Sequence, residues 1–297
     1  MLSLSDRPIK LGLIGDNIAA SSSPVLHETA ARKAKVDLSY KRLVPADEGL
    51  PFDQLFQSCK KNRYRGLNIT YPYKEKAMSY VTQCDPIIRE IGAVNTVCFE
   101  GAEVAGYNTD YTGFMAGYQT AFKSMPTGKS ALIGCGGVGR AMAFGLLTFK
   151  APSIHLFDRD MGKAQALKAD LERNSDEIEI IVFDTPEEAA KDCEGILNAT
   201  PVGMVGYGGR PVDLAAAPKA RWVFDAVYTP LETEFLLQAK SLGLSIMTGW
   251  ELFFWQGVQA FSIFTGAALN RTHLRDELTT AMGIEEEVLS SSDRWQT

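Results

Sequence analysis

The stretch Ala131-Leu-Ile-Gly134-Cys-Gly136-Gly137-Val-Gly139-Arg-Ala-Met-Ala-Phe144 decides the fold of this chain. It places the pattern GxGGxG between a short apolar strand and a helical pattern of small and apolar residues. In that setting Gly134 allows a tight turn, Gly136 lets the backbone approach a pyrophosphate, and Gly139 lets the helix pack closely on the strand. Helix N–H groups and the positive end of the dipole then face the phosphates. The pattern predicts a dinucleotide site rather than a plain strand-to-helix turn, formed by Gly134, Gly136, Gly137, Val138 and Gly139.

The strand that follows supports this interpretation. Ser153-Ile-His-Leu-Phe157 leads into Asp158, 19 residues after Gly139, where an acid can accept hydrogen bonds from both ribose hydroxyls of the adenosine. That carboxylate would repel the 2′-phosphate of NADP, so NAD is the favoured cofactor. Arg159 can stack on adenine or bind a 2′-phosphate, which leaves NADP open as an alternative. Asp158 can also serve as the N-cap of a helix that starts near Met161.

Length and composition are those of an ordinary globular protein. The chain has 297 residues, about twice the usual size of one domain, so two domains are expected. Apolar residues make up 45% and charged residues 22%, which argues against a disordered or a membrane protein. The net charge of −6 and the pI of about 5.3 give no broad basic field, so neither nucleic acid nor a membrane is an expected partner.

The order of elements indicates the fold class. Short runs rich in Val, Ile and Leu alternate with longer segments of helical period, which is typical of the α/β class with parallel sheets covered by helices. A polar break at 124–129 precedes the strand of the glycine turn and indicates a domain boundary near or before it. The candidate strands are 10–14, 40–44, 66–70, 131–133, 153–157, 178–183, 196–199 and 222–227.

Cysteine and histidine usage bears on compartment and on metals. Five cysteines are spread without a CxxC pair, and the chain opens with Met-Leu-Ser-Leu-Ser-Asp-Arg-Pro, without the apolar run of a signal peptide. We therefore expect reduced thiols and a cytoplasmic location. His27, His155 and His273 are far apart in sequence and belong to no HExxH or Cys/His cluster, so no metal site is expected.

Outside the glycine turn, Ser21-Ser-Ser23-Pro24 precedes a helical pattern. Pro24 suits the first helical turn, and Ser23 is placed as the N-cap. Hydroxyls beside a helix N-terminus also make a site for a small carboxylate. Capping alone and carboxylate binding by Ser21 and Ser23 are both open at this point.

The segment Asn68-Ile-Thr70-Tyr-Pro72-Tyr-Lys74 runs from a strand into a Pro-initiated helix. Lys74 then falls in the first turn, where the helix dipole disfavours a cation by about 0.3 to 1 kcal/mol. It is either a surface residue whose ammonium reaches solvent or a lysine used for proton transfer. Thr70 is either a capping residue or a substrate contact.

Polar side chains also end other strand-like runs. Asn95 in GAVNT and Asp110 in GYNTD hold this position, where open α/β sheets bind ligands. Both can equally be turn residues. Gln256 lies in the aromatic helical pattern that Gly249 opens, and a polar side chain in such surroundings needs partners.

Seven motifs, in order between Leu11 and Gly266, resemble those of the shikimate dehydrogenase family. They are SxSP at 21–24, NxTxPxK at 68–74, GAVNT at 92–96, GxNTD at 106–110, GxGGxG at 134–139, NATPVGM at 198–204 and DxVYxP at 225–230. The resemblance implies an enzyme that reversibly oxidises one ring hydroxyl of shikimate to 3-dehydroshikimate by hydride transfer to a nicotinamide. It also implies an N-terminal three-layer α/β substrate domain, residues 1–110 with 249–297, and a Rossmann-type dinucleotide domain, residues 111–248.

The resemblance further implies roles for single residues. Lys74 and Asp110 would form the proton-transfer pair. The substrate-binding residues would be Ser21 and Ser23 for the carboxylate, Thr70, Asn95 and Gln256 for the hydroxyls, and Tyr228, which would approach from the nucleotide domain. Thr200 and Gly249 would join the glycine turn, Asp158 and Arg159 as cofactor-binding residues.

Three departures from the family pattern bear on cofactor and substrate. Most shikimate dehydrogenases have Asn-Arg-Thr where this chain has Asp158-Arg159-Asp160, which favours NAD over NADP. Ala20 replaces the usual histidine, and His27 with residues 70–74 is more similar to the NAD-using quinate/shikimate dehydrogenases. Dehydrogenases for quinate or for an amino-substituted shikimate are alternatives, as is a non-catalytic regulator that binds dinucleotide and ligand. A homodimer is left open as the assembly.

Overall fold

A computed structural model describes residues 8–284. Within them the chain forms two compact units. Unit 1 comprises 8–109 and 256–284, and unit 2 comprises 110–255. Each unit has its own sheet. No helix within residues 8–284 is long and apolar enough to cross a membrane.

The sheet of unit 1 has five strands in the order β2-β1-β3-β4-β5. The strands are β1 (Ile9–Ile14), β2 (Leu38–Leu43), β3 (Gly66–Ile69), β4 (Thr96–Glu100) and β5 (Glu103–Tyr107). The first three run parallel, whereas β4 and β5 are antiparallel and form a hairpin. Gly101, with φ of +66°, makes the tight turn between them. The sequence had predicted parallel pairing and missed this hairpin.

Helices cover both faces of that sheet. They are α1 (Ser23–Ala34), α2 (Phe52–Lys61), α3 (Lys74–Met78), α4 (Pro86–Ile91), α11 (Arg271–Met282) and the second half of α10 (Gly249–Thr265). Leu11 and Leu13 of β1 pack in one cluster with Phe264 of α10. On the other face Phe99 of β4 lies 5.4 Å from Phe56 of α2, measured between ring centroids. Alternate residues of each strand therefore supply two cores, which gives three layers.

The sheet of unit 2 has six parallel strands in the order β11-β10-β9-β6-β7-β8. They are β6 (Ser130–Ile133), β7 (Ser153–Phe157), β8 (Glu179–Val182), β9 (Gly195–Asn198), β10 (Trp222–Asp225) and β11 (Ser245–Met247). The chain reverses its direction of winding between β6 and β9, and open sheets bind dinucleotides at such a switch point. The predicted α/β class with a Rossmann-type sheet is confirmed. The three-residue β11 was missed.

Helices also lie on both faces of this sheet. They are α5 (Thr109–Phe122), α6 (Gly137–Thr148), α7 (Met161–Asn174), α8 (Pro186–Ala190), α9 (Glu234–Ser241) and the first half of α10. Val223 of β10 packs in one cluster with Phe235 of α9. The next residue, Phe224, points to the opposite face and lies 5.4 Å from the ring of Phe114 in α5.

The boundaries between the units fall inside helices. The chain leaves unit 1 after Thr109, at the start of α5, and returns at Gln256, in the middle of α10. The sequence placed the second boundary at 249, because a helix shows no change of composition at the residue where its contacts change. The predicted substrate domain also includes 1–7 and 285–297, which lie outside the described residues. Which ligand each unit binds stays a prediction.

Candidate active site

The glycine-rich turn joins β6 to α6. Gly134 has φ of +100°, and a Cβ on Gly139 would lie 1.9 Å from the carbonyl oxygen of Gly134. Both positions therefore require glycine for the turn itself. Gly136 is the N-cap of α6, and a Cβ there would meet nothing within 4 Å. The space above the N-terminus of α6, where Gly137 and Val138 form the first turn, is open to an anion, and these residues fit a dinucleotide pyrophosphate.

Asp158 connects this turn to the end of β7. One carboxylate oxygen accepts from the backbone N–H of Cys135 at 2.7 Å, and the other accepts from the backbone N–H of Asp160 at 2.8 Å. Asp158 is not the N-cap of α7, which was the alternative interpretation, because Asp160 caps this helix by accepting from the N–H of Gly162 at 3.0 Å. Asp158 therefore fixes the glycine turn in addition to its predicted role at the ribose.

Two neighbours of Asp158 differ in their surroundings. Arg159 is exposed two residues after the end of β7, and its predicted role at the nucleotide stays a prediction. Cys135 is buried in the turn, and burial together with the Asp158 carboxylate raises the pKa of its thiol to about 12. This thiol is therefore protonated at neutral pH and is not a nucleophile.

The loops after β9 and β10 are joined by a buried network. Asn198, the last residue of β9, donates to the carboxylate of Asp225, the last residue of β10, at 2.9 Å. The Oγ1 of Thr200 donates to the side-chain oxygen of Asn198 at 2.7 Å. Asp225 also accepts from the hydroxyl of Thr233 at 2.6 Å, and burial raises the pKa of its carboxyl to about 6. In the sequence, Asn198 and Asp225 are the first residues of the motifs NATPVGM and DxVYxP, and no role was predicted for them from the sequence.

Tyr228 and Gly249 lie close to the same loops. The ring of Tyr228 stacks on Phe253 of α10, with centroids 4.9 Å apart and planes 21° from parallel. A Cβ on Gly249 would lie 2.4 Å from the carbonyl oxygen of Val227. Glycine is therefore needed where α10 begins against the loop after β10, and the predicted cofactor contact of Gly249 comes in addition to this.

In unit 1, the polar residues of the motifs collect at one edge of the sheet. Asn68 near the end of β3 pairs with Thr96 at the start of β4, and the two strands are antiparallel. The start of β4 therefore lies beside the carboxyl end of β3. Asn95 therefore precedes a strand rather than ending one, which corrects the sequence interpretation. Thr70 follows β3 at this edge. Its carbonyl accepts from Tyr73 in a turn, so Thr70 is not the cap of α3.

Ser21 and Ser23 are adjacent in space. The hydroxyl of Ser21 donates to Ser23 Oγ at 3.1 Å and accepts from the N–H of Ser23 at 3.3 Å. Helix α1 begins at Ser23, and its N-cap is Ser22, which corrects the predicted cap by one residue. The guanidinium of Arg42 donates to the carbonyl oxygen of Ser21 at 2.6 Å. The sequence missed this arginine because β2 carries its polar residues without any motif.

Lys74 is the first residue of α3, and it is only 9% exposed. The helix begins there and not at Pro72, and the interpretation of Lys74 as a surface residue is wrong. Its carbonyl oxygen accepts from the N–H of Val94 at 3.0 Å. The adjacent Asn95 holds the start of α5, since its Oδ1 accepts from the N–H of Thr109 at 2.7 Å and its Nδ2 donates to Thr109 Oγ1 at 2.9 Å.

Asp110 follows Thr109 directly, as the second residue of α5, and is 6% exposed. A carboxylate in the first turn of a helix is favoured by the helix dipole. Hydrogen bonds thus lead from the backbone of Lys74 through Val94 and Asn95 to the residue before Asp110. The two residues of the predicted proton-transfer pair are both buried ionisable groups at element N-termini.

A second buried network extends from Asn95 through unit 1. Asn68 donates to the hydroxyl of Thr96 at 3.0 Å and accepts from the hydroxyl of Tyr40 at 2.8 Å. The imidazole of His27 stacks on Tyr40 with centroids 4.5 Å apart, and burial lowers its pKa to about 3. His27 is therefore a neutral, structural side chain at physiological pH.

The remaining predicted residue, Gln256, is half-buried in α10 and is the first residue of the second segment of unit 1. Unit 1 thus carries the predicted hydroxyl and carboxylate ligands, and unit 2 carries Asp110, Tyr228 and the predicted cofactor residues. Among residues 8–284, no three His, Cys, Asp or Glu side chains are grouped to hold a metal ion.

Comparison with known proteins identifies the family. Residues 13–97 match the family described as the shikimate dehydrogenase substrate binding domain. The quinate/shikimate dehydrogenase (NAD(+)) of Corynebacterium efficiens is 33% identical over 264 residues, which cover 87% of this chain and 93% of that protein. The shikimate dehydrogenase (NADP(+)) of Streptomyces avermitilis is 35% identical over 262 residues, covering 86% and 90%.

A solved structure agrees with these relatives over nearly the whole chain. Quinate dehydrogenase from Corynebacterium glutamicum in complex with NAD matches with a TM-score of 0.84 at 30% identity, covering 92% of this chain and 99% of that one. With two sheets of this topology, the glycine turn and these relatives, the chain belongs to the shikimate dehydrogenase family.

Proposed function

We propose that this protein is an NAD(P)-dependent oxidoreductase that interconverts shikimate and 3-dehydroshikimate, with NAD preferred, and that it also accepts quinate. The names of the relatives support the reaction, and two of them are named for quinate. The observation that carries the proposal is the burial of Lys74 at the first residue of α3, where the helix dipole opposes a cation. A lysine at this position costs stability, which supports a role of Lys74 in the reaction.

Unit 2 supplies the cofactor site in this proposal. The open N-terminus of α6 at Gly136 binds the pyrophosphate, and Asp158 accepts from the adenosine ribose. When bound, the nicotinamide supplies the hydride acceptor for the carbinol carbon. The other residues assigned to the cofactor are Gly134, Gly137, Val138, Gly139, Arg159, Thr200 and Gly249.

The side chains of the substrate site hold the ring and move one proton. The hydroxyl proton passes to the amine of Lys74 as the hydride leaves the same carbinol group, and in the reverse direction the ammonium returns it to the carbonyl oxygen. Asp110 acts as the charged partner of Lys74. The residues that hold the substrate are Ser21 and Ser23 at the carboxylate, Thr70, Asn95 and Gln256 at the hydroxyls, and Tyr228.

Replacing the lysine tests this assignment. We expect Lys74→Met to lower kcat by about 10² to 10⁴ while the Kd for NADH, measured by fluorescence titration, stays within a factor of two. Lys76→Met is the matched control, because Lys76 lies two residues along the same helix but is exposed and paired with Asp53. If Lys74→Met retains activity, Lys74 is not the proton-transfer group.

A substrate panel decides between the candidates. Reduction of NAD and of NADP is followed at 340 nm with shikimate, quinate and aminoshikimate, and kcat/KM is compared. The highest value is expected for NAD with shikimate or quinate. A protein that binds NADH and shikimate without turnover would instead be a regulator.

Assembly and location stay predictions. A homodimer would appear by light scattering at about twice the chain mass of 32.5 kDa. A cytoplasmic location would appear by fractionation of the source cells.

A further inference from the structure

We propose that Asp225 is a positioning residue that couples the loop after β9, which carries Thr200, to the loop after β10, which carries Tyr228. This inference rests on the proposed function, because Thr200 is assigned there to the cofactor and Tyr228 to the substrate. Asp225 itself touches neither ligand in this scheme. It acts through the two loops, and so adjusts both halves of the reaction together.

The carboxylate of Asp225 is fully buried and is held by three neutral donors. One oxygen accepts from Asn198 Nδ2 at 2.9 Å and from the N–H of Val227 at 3.0 Å. The other oxygen accepts from the hydroxyl of Thr233 at 2.6 Å. A buried carboxylate is costly unless its oxygens find donors, so a change at any one of these partners affects all of them.

On the side of β9, the hydrogen bonds continue to the loop. Both N–H groups of the Asn198 amide are used, since Nδ2 also donates to the carbonyl of Val202 at 3.0 Å. Its oxygen accepts from the N–H of Thr200 at 3.0 Å and from Thr200 Oγ1 at 2.7 Å. That Oγ1 in turn accepts from the N–H of Val202 at 3.1 Å. The hydroxyl of Thr200 is thereby oriented by Asn198, and Asn198 by Asp225.

On the side of β10, Asp225 holds both ends of the loop. Val227, whose N–H donates a hydrogen bond to Asp225, directly precedes Tyr228. The hydroxyl of Thr233 donates a hydrogen bond to Asp225. Thr233 is also the N-cap of α9, and its hydroxyl accepts from the N–H of Leu236 at 3.2 Å. One carboxylate therefore binds both ends of the loop from 227 to 233, and the position of Tyr228 depends on these bonds.

Stability alone is a poor explanation for this arrangement. Replacing a buried ionic group with apolar residues of similar size is often neutral or stabilising, so a buried carboxylate is weak evidence for a purely structural role. A carboxylate does, however, offer about four acceptor positions on a short side chain, which an amide or a hydroxyl does not. That capacity suits a residue that must collect donors from two loops and a helix.

A reciprocal exchange tests the coupling. Asn198→Asp keeps the oxygen that accepts from Thr200 but places an oxygen against both Asp225 and the carbonyl of Val202, so it breaks the bond between the loops and one bond within the loop after β9. We expect about a tenfold rise in both the Kd for NADH and the KM for shikimate. Adding Asp225→Asn restores an N–H donor between the two positions but not the bonds to Val202 and Val227, so the double variant is expected to recover part of each loss on a logarithmic scale.

A second pair and a control separate positioning from folding. Thr233→Val removes the hydroxyl that donates to the second oxygen of Asp225, and it should raise both the Kd for NADH and the KM for shikimate. Thr233→Ser keeps this hydroxyl and should leave both values close to those of the wild-type protein. Asp213→Asn is the matched control, because Asp213 also caps a turn in unit 2, at Ala215, but is not in the network. The Tm of every variant is measured, and binding is compared well below it.

The outcomes are distinct. Losses that simply add in the double variant, or a lower Tm with both constants within a factor of two of the wild-type protein, would overturn the coupling. If Asn198→Asp does not fold, the Thr233 pair decides in the same way. The Kd for NADH needs no turnover, so a wild-type protein that binds NADH but oxidises no shikimate would overturn the proposed function and still allow the coupling to be judged.

Discussion

At the scale of single residues, Asp158 has two tasks that are usually considered separately. Its charge is expected to exclude a 2′-phosphate, and its two oxygens fix the N–H groups of Cys135 and Asp160. A substitution intended to change cofactor preference therefore also disturbs the glycine turn. The two effects can be separated, because asparagine keeps one acceptor oxygen for the N–H of Cys135, whereas the side chain of serine is too short to reach it.

For Asp158 we expect Asp158→Asn and Asp158→Ser both to narrow the ratio of kcat/KM for NAD over NADP, since each removes the repelling charge. Only the serine variant should also weaken binding of both dinucleotides, by about 5-fold, because the N–H of Cys135 loses its acceptor. Steady-state kinetics with both cofactors measures this. An unchanged ratio in both variants would assign the preference to Arg159 or to another group.

Arg42 gives a second prediction at this scale. Its guanidinium donates to the backbone carbonyl of Ser21 and so brings a positive charge to the segment that carries the two serine hydroxyls. Arg42→Gln should therefore raise the KM for shikimate by about 5- to 10-fold with little change in kcat. Arg32→Gln, an exposed arginine paired with Glu277 in the same unit, is the control. Equal KM values in the two variants would separate Arg42 from carboxylate binding.

The sequence predicted the place of a residue in the fold where a motif carries spacing information, and missed residues whose part in the structure comes from a hydrogen-bond network. Asp158 could be placed because an acid at the end of the second strand follows the glycine turn at a regular distance. The roles of Asn198, Asp225 and Thr233 could not, since their hydrogen bonds join segments 27 and 8 residues apart. Helix caps were off by one or two residues at Ser22 and Asp160, because neighbouring polar residues compete for the same position.

At the scale of elements, the turn between β6 and α6 contains glycines needed for different reasons. Gly139 faces a backbone oxygen, and Gly136 faces open space with φ of −76°, which any residue can adopt. One glycine thus serves the fold and the other serves the approach of a ligand. Conservation of the motif alone would not distinguish the two.

Alanine at each of these positions makes the third prediction. Gly139→Ala should destabilise the protein by about 1 to 3 kcal/mol or more, because its Cβ would lie 1.9 Å from the backbone oxygen of Gly134. Gly136→Ala should change the free energy of unfolding by less than about 0.5 kcal/mol and raise the Kd for NADH at least about tenfold. Urea unfolding and fluorescence titration measure the two effects. A Gly136→Ala protein that binds NADH normally would exclude close contact at this residue.

The sequence predicted parallel strands well and the antiparallel pair poorly. Strands β6, β7 and β9 are buried on both faces and appear as continuous apolar runs. The hairpin of β4 and β5 lies between the motifs GAVNT at 92–96 and GxNTD at 106–110, and from the sequence the polar residues of both motifs are predicted to end strand-like runs. This is why Asn95 was placed at the end of a strand when it precedes one.

At the scale of the whole molecule, two buried groups, one in each unit, are expected to make the stability of the protein depend on pH in opposite directions. In unit 1 the pKa of His27 is lowered from 6.5 to about 3, so its contribution to stability is present above pH 6.5 and is lost as the pH falls towards 3. In unit 2 burial raises the pKa of Asp225 from 3.8 to about 6. Its contribution to the free energy of unfolding is therefore present below pH 4 and is lost as the pH rises through 6.

Two variants make these opposing effects visible. The stability of the wild-type protein relative to His27→Phe should fall by about 2 kcal/mol between pH 6.5 and pH 5. Its stability relative to Asp225→Asn should fall by about 2 to 3 kcal/mol between pH 4 and pH 6.5. Urea unfolding of each protein at four pH values from 4 to 7 measures both. Differences that do not vary with pH would show that neither group titrates as its burial requires.

The division of the chain has a consequence for its synthesis on the ribosome. The core of unit 1 includes Ala260 and Phe264, which are translated only after the 146 residues of 110–255. At about 5 to 20 residues per second, this delay is roughly 7 to 30 s. During that interval the face of the first sheet that carries Leu11 and Leu13 lacks the packing of α10. The nascent protein is thus expected to need chaperone protection at its beginning while its middle already folds.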